Sequence, residues 1–132
     1  MDDMAGETEK ITINLGFIDL GQIDLLVQEG FYSNRTDFIR TAIRNQLTTH
    51  ADVVKQTVAR KTMVLGLQQY NRRDLEAVQK AGEKLQIQVL GMAVISDDVT
   101  PELAKATIDS IIVLGALRAS RAVKSALSDR IR

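Results

Sequence analysis

The sequence predicts an α+β protein in which a strand and two helices precede a small β/α repeat domain with parallel strands. Polar and apolar side chains alternate over residues 10–15, and two stretches with helical apolar spacing follow at once. The tripeptide Val-Leu-Gly then occurs three times in the second half of the chain. With 132 residues, of which 45% are hydrophobic, the chain can fold as one domain or as two very small ones.

Composition excludes several kinds of site. The chain has no cysteine, which removes disulfides, thiolate metal sites and thiol nucleophiles. Its one histidine, His50, cannot build a nitrogen and sulfur metal site alone, so we expect no metal and no cofactor. A helix cap or a solvent-exposed side chain is the expected role of His50. No catalytic constellation is present, and we expect no enzyme.

Charge and hydropathy indicate a cytoplasmic protein without a targeting signal. No stretch approaches the roughly 18 uncharged apolar residues of a membrane helix, so no membrane partner is expected. Residues 1–9 hold four acids and lack periodicity, which predicts a flexible acidic tail. The net charge is zero, so a nucleic-acid partner has to be argued from particular residues.

The first ordered element is predicted to be a strand over Lys10–Leu15, because its side chains alternate with a period of two. A helix centred on Ile23 and Asp24 follows, and Gly30 is placed to stop it. A second helix is expected to start at Ser33 or Asn34.

The strand has no partner within this unit, and an unpaired edge backed by an apolar face is an association site. A second copy would supply the missing strand and form a two-stranded antiparallel ribbon, which fits the DNA major groove. The outer face of that ribbon carries Lys10, Thr12 and Asn14.

These residues resemble the ribbon-helix-helix superfamily of bacterial repressors and antitoxins, the CopG/Arc/MetJ group. The resemblance covers roughly Lys10–Leu47 and depends on the alternating strand, the first helix, the turn over residues 30–35 and the segment Asp37–Arg44. It implies an obligate dimer over residues 10–48 that binds double-stranded DNA.

The resemblance also implies three sets of functional residues. Base contacts would come from Lys10, Thr12 and Asn14. Phosphate contacts would come from the start of the second helix, where exposed amides favour anions: Ser33, Asn34, Arg35 and Thr36. The dimer core would consist of Ile11, Ile13, Leu15, Ile23, Phe38, Ile39 and Ile43. Arg40 and Arg44 are left out, since a solvated face or an ion pair with Asp37 explains them at least as well.

Residues 49–62 are predicted to form a connecting helix, and residues 63–132 the repeat domain. The repeat is marked by Val64-Leu65-Gly66, Val89-Leu90-Gly91 and Val113-Leu114-Gly115. Each copy predicts a strand of about eight residues, a capping Asn, Ser or Thr, and a short helix. Strands joined by helices run parallel, and near-continuous apolar runs predict burial on both faces.

We therefore predict a nucleoid-associated transcriptional regulator that acts as a repressor, whose C-terminal repeats assemble dimers further or bind a small-molecule effector. One alternative is an antitoxin-like DNA-binding protein whose C-terminal part binds a toxin. Another is a self-assembling structural protein in which the N-terminal unit only dimerises.

Overall fold

The computed structural model describes residues 8–132, so most of the predicted acidic tail over residues 1–9 lies outside the described residues. The described chain is α+β, as predicted. By its internal contacts it divides into an N-terminal unit that ends at Ala51 and a C-terminal unit, Asp52–Arg132. The elements are, in order, α1 (Phe17–Gln28), α2 (Arg35–Thr49), α3 (Ala51–Arg60), β1 (Val64–Tyr70), α4 (Arg72–Lys80), β2 (Leu85–Ile95), α5 (Pro101–Thr107), β3 (Ile108–Arg118) and α6 (Arg121–Ala126).

Helix α1 ends where the sequence predicts. Gly30 has a φ of +88°, a conformation that glycine adopts without a steric penalty from Cβ. The backbone N–H of the next residue, Phe31, donates to the carbonyl of Leu26 at 2.9 Å, which satisfies one of the carbonyls at the helix end. This tight reversal directs the chain into α2.

Helix α2 begins as predicted, with Asn34 as its N-cap. The Asn34 side-chain oxygen accepts from the backbone N–H of Asp37 at 2.8 Å, and the Asp37 carboxylate accepts from the backbone N–H of Ser33 at 2.9 Å. The rings of Tyr32 and Phe38 pack edge to face with their centroids 5.0 Å apart, which connects the turn to the helix.

Residues 8–16 form neither a helix nor a strand in the single chain. A strand is defined by hydrogen bonds to a neighbour, and the neighbour predicted for residues 10–15 belongs to a second copy. The ribbon therefore remains a prediction. The apolar side chains of this segment are open to solvent, and Ile11 and Ile13 are 71% and 55% exposed.

The sheet of the C-terminal unit confirms the parallel repeat. Within the described residues it has three strands in the order β1-β2-β3, all parallel, and α4 and α5 make the crossovers between them. The register aligns the three Val-Leu-Gly copies, so that Gly66, Gly91 and Gly115 form one row across the sheet. Strand β1 has seven residues, whereas β2 and β3 have eleven each and are longer than predicted.

Each helix that follows a strand has a polar cap. Asn71 caps α4 in a capping box with Asp74, Thr100 caps α5 and Ser120 caps α6. Ser96 lies five residues after Gly91, as Ser120 does after Gly115, but it is not a cap. Its backbone N–H donates to Tyr70 O at 2.9 Å at the end of the strands, and α5 starts only at Pro101.

The core of the C-terminal unit lies on one face of the sheet, under α4, α5 and α6. Its completely buried members include Leu75 from α4, Val89 and Ile111 from the strands, and Val123 from α6. We call the opposite face of the sheet the open face. It carries Leu65, Leu67, Leu90, Met92, Leu114 and Ala116.

Burial on both faces, as predicted for β2 and β3, is incomplete in the single chain, where Leu90 and Met92 of the central strand are half-buried on the open face. On the open face Leu65, Leu67 and Leu114 are 65%, 42% and 57% exposed. Parallel sheets are normally covered on both sides, so an apolar face left open to this extent is unusual for the fold.

Of the helices in residues 8–132, none is long and apolar enough to cross a bilayer.

Candidate nucleic-acid interface

The side chains of the predicted ribbon are accessible throughout. Lys10, Thr12 and Asn14, the predicted base contacts, are all exposed in the single chain. They alternate with Ile11, Ile13 and Leu15, so an extended backbone would separate a polar face from an apolar one. The structure leaves both faces free, and it does not place the polar face against a partner.

Most of the predicted dimer core gathers around one apolar groove of about 410 Å³ in the N-terminal unit. Six of the seven predicted residues line it, Ile11 being the exception. Only one of the seven, Ile23, is buried, at 6% exposure, while Ile43 on α2 is 47% exposed. The groove is lined by Ile13, Leu15, Asp19, Gln22, Ile23, Leu26, Phe38, Ile39, Ala42 and Ile43.

A second, polar recess of about 340 Å³ lies at the start of α2. Three of the four predicted phosphate contacts line it, namely Ser33, Asn34 and Thr36. The free amides of the first helical turn give this end a partial positive charge. The carboxylate of Asp37 also lies there, and it accepts the hydrogen bond from Ser33 N described above.

Arg40 and Arg44 line the same recess, although sequence reasoning left them out. Neither forms a salt bridge within residues 8–132, so the alternative of an ion pair with Asp37 is not observed there. A signal was available in the sequence, because residues four apart lie on one helix face and Thr36, Arg40 and Arg44 follow that spacing. Two cations therefore stand beside the positive end of the helix.

Arg35, the fourth predicted phosphate contact, is engaged within the chain. Its Nε and NH2 atoms donate to the two carboxylate oxygens of Asp24 on α1, each at 2.8 Å. These hydrogen bonds lower the pKa of Asp24 below its usual value and raise the pKa of Arg35 further. The planar guanidinium matches a carboxylate in this two-point geometry, so the pair links the start of α2 to α1 at the surface, where both side chains are about half exposed.

The described residues offer no metal centre, since residues 8–132 contain no cluster of three or more His, Cys, Asp or Glu side chains placed to hold an ion. The chemistry available at the N-terminal unit is hydrogen bonding and charge. Amides, hydroxyls and arginines recognise phosphate, and an amide and an ammonium recognise base edges.

Comparisons with known proteins extend over most of the chain. The profile of the Ribbon-Helix-Helix transcriptional regulator family matches residues 6–124. An uncharacterised protein of Methanocaldococcus jannaschii is 30% identical over 77 residues, which cover 58% of this chain and 79% of that protein. No solved structure matches the chain. The match spans both the strand-helix-helix segment and the β/α repeats, so the chain belongs to the ribbon-helix-helix transcriptional regulator family, whose members bind DNA and dimerise.

Proposed function

We propose that this protein is a sequence-specific transcriptional repressor that reads the DNA major groove with a ribbon made by two copies of residues 10–15. Membership of the family supports DNA binding and dimerisation. The proposal of a ribbon made by two copies is supported above all by the apolar groove between α1 and α2. Its lining includes Ile13 and Leu15, and the described chain leaves it uncovered. Pairing of two copies would bury both grooves and leave the polar face of the ribbon outside.

Base readout would come from that polar face. Lys10 can donate to the N7 and O6 acceptors of guanine, and the amide of Asn14 can pair with the N7 and N6 atoms of adenine. Thr12, between them, can donate or accept and can contact a thymine methyl group. In an antiparallel ribbon each side chain occurs twice around a twofold axis, so the operator should be an inverted repeat.

Phosphate contacts would come from the recess at the start of α2. Ser33, Asn34 and Thr36 supply hydrogen-bond donors, and Arg40 and Arg44 supply two positive charges beside the helix end. In this proposal Arg35 acts mainly as a positioning residue, since Asp24 already holds its guanidinium. The recess would fix the register of the ribbon in the groove without reading sequence.

The C-terminal unit would then join ribbon dimers on adjacent sites. In this proposal each copy offers Lys10 on the ribbon and Arg40 and Arg44 at the recess. Non-specific affinity comes mainly from neutralised phosphates, so the electrostatic contribution of a single dimer is limited to a few phosphate contacts. Contacts between dimers raise the effective affinity by multivalency. The open face carries exposed apolar residues, above all Leu65 and Leu114. A contact with another protein surface would shield them from water, which supports association of this unit.

The experiment is a mobility shift with the region upstream of the gene that encodes the chain. Replacing Lys10 and Asn14 together by Ala should weaken operator binding about tenfold or more, because each base contact contributes about 1–3 kcal/mol. The matched control is Lys55→Ala with Gln56→Ala, which removes the same two groups from exposed positions on α3. Equal losses in the two double variants would contradict base readout by the ribbon.

Repression itself needs a second readout. A reporter gene behind the bound region should be expressed at a low level with the native protein and at a higher level with the ribbon variant. An increase with the native protein would instead identify an activator. Capture of a co-expressed toxin by the C-terminal unit, with no effect on the reporter, would favour the antitoxin alternative.

A further inference from the structure

The three glycines in the row across the sheet contact one another in the same way from strand to strand. A Cβ atom placed on Gly91 would collide with the carbonyl oxygen of Gly66, and one placed on Gly115 would collide with that of Gly91. Each glycine carbonyl therefore lies in the space that a side chain would need on the next strand. The row runs from β1 through β2 to β3, and each step repeats the same fit.

At the two edges of the sheet, the row ends in features that are complementary to each other. Among the described residues nothing lies within 4 Å of the place where a Cβ of Gly66 would be, although its φ of +128° matches the +137° and +120° of the other two glycines. The outer edge of β1 thus presents an empty slot. By the same repeat, the outer edge of β3 presents the carbonyl of Gly115.

The two edges can pair over five residues. At the start of β3, the backbone of Ile111 is bonded to the C-terminal segment, through Arg130 O at 2.9 Å and Arg132 N at 2.8 Å. Beyond that point, within residues 8–132, the outer edge of β3 has no strand paired to it over residues 113–117. Extending the register of the sheet by one step puts these five residues opposite residues 64–68 of another β1.

We propose that the free edge of β3 in one copy pairs in parallel with the free edge of β1 in a second copy, with Gly115 opposite Gly66. This proposal rests on self-association of the C-terminal unit under the proposed function and names the surfaces that perform it. Because the two paired edges differ, the contact is head-to-tail and leaves one β1 edge and one β3 edge free at its ends, so it can continue from one ribbon dimer to the next. Edge pairing does not itself cover the open faces of the two sheets; it places them side by side.

Cysteine cross-linking of the full chain tests the register, because the native sequence has no cysteine. In the double variant Leu65→Cys with Leu114→Cys, both positions belong to one row of the sheet and are 65% and 57% exposed, so the substitutions leave the core intact. Within one chain they lie two strands apart, about 9.6 Å, which is too far for a disulfide. Across the proposed edge they lie about 4.8 Å apart, within the normal range.

Mild oxidation of this double variant should convert most of the 14.6 kDa chains into covalent species of twice that mass or more. Either single variant should stay at 14.6 kDa. The matched control is Leu65→Cys with Ala116→Cys, which uses the same face but shifts the register by two residues and places the Cα atoms about 8 Å apart. It should cross-link much less.

Two results would overturn the proposal. Failure of the double variant to cross-link excludes pairing of these edges, and equal cross-linking by Leu65→Cys alone indicates contact between two β1 strands instead. A mobility shift with the reduced double variant distinguishes failure of the edge pairing from failure of the proposed DNA binding. Operator binding without cross-linking rejects only the edge pairing, whereas loss of operator binding by the native chain rejects the DNA-binding proposal itself.

Discussion

Gly91→Ala adds only one methyl group, yet it should lower the stability of the sheet strongly. Gly91 lies in the central strand with a φ of +137°, a region that residues with a Cβ avoid. Its new methyl group would also meet the carbonyl oxygen of Gly66, which is backbone and has little freedom to move. The substitution should therefore push β1 away from β2 as well as strain the central strand.

The expected loss of stability is about 3–5 kcal/mol. Backbone strain of this kind costs about 1–3 kcal/mol, and each displaced hydrogen bond between the strands adds about 1 kcal/mol. The control is Gly82→Ala, since Gly82 has a φ of +68° but nothing within 4 Å of a built Cβ, so only the conformational cost of about 1 kcal/mol remains.

Urea unfolding followed by circular dichroism measures both variants. With an m-value of about 1.5 kcal/mol/M, a loss of 3 kcal/mol lowers the midpoint by about 2 M. Gly82→Ala should lower it by about a third as much. Similar midpoints for the two variants would refute the close approach of Gly66 and Gly91 as the reason for glycine in this row.

Three further predictions concern other parts of the chain. Ile13→Asp puts a charge into the apolar groove and should lower the mass of the assembly in sedimentation, whereas an unchanged mass would contradict the groove as the dimer core. Leu75→Ala, at a completely buried position, should lower stability by about 2–5 kcal/mol, and a change under 1 kcal/mol would contradict the assigned core. Asp24→Asn should reduce the loss of thermal stability on acidification. The pKa of Asp24 is lowered by Arg35, so its contribution is present above the ordinary value of about 3.9 and is lost as pH falls through the folded value. Parallel acid profiles of native and variant chains would argue against the pair.

Local signals predicted the helical part of the fold well. Gly30 ends α1 and Asn34 begins α2 because both effects act within a few residues of the chain. The repeat was equally informative, since equal spacing of Val-Leu-Gly becomes equal register in a parallel sheet. The predicted capping Asn, Ser or Thr after each strand is confirmed at Asn71, Thr100 and Ser120, although Ser96, at the position equivalent to Ser120, is not a cap because the loop before α5 is longer.

Features that depend on pairing between distant segments were harder to predict. The one-sided burial of the sheet follows from where α4, α5 and α6 pack, which hydrophobic runs alone do not specify. At the candidate site, the pairing of Arg35 with Asp24 joins residues eleven apart across a turn, so a list of donors near the helix start could not separate Arg35 from Arg40 and Arg44.

Methylation interference on the bound operator tests the central claim most directly, namely that the ribbon reads the major groove. Dimethyl sulfate modifies guanine N7, which faces the major groove, and adenine N3, which faces the minor groove. Methylation at guanine N7 in both halves of an inverted repeat should block binding of the native protein. For the Lys10→Ala variant, methylation of the guanine that Lys10 contacts should interfere less. Interference confined to adenine N3, or absent from every base, would contradict major-groove readout.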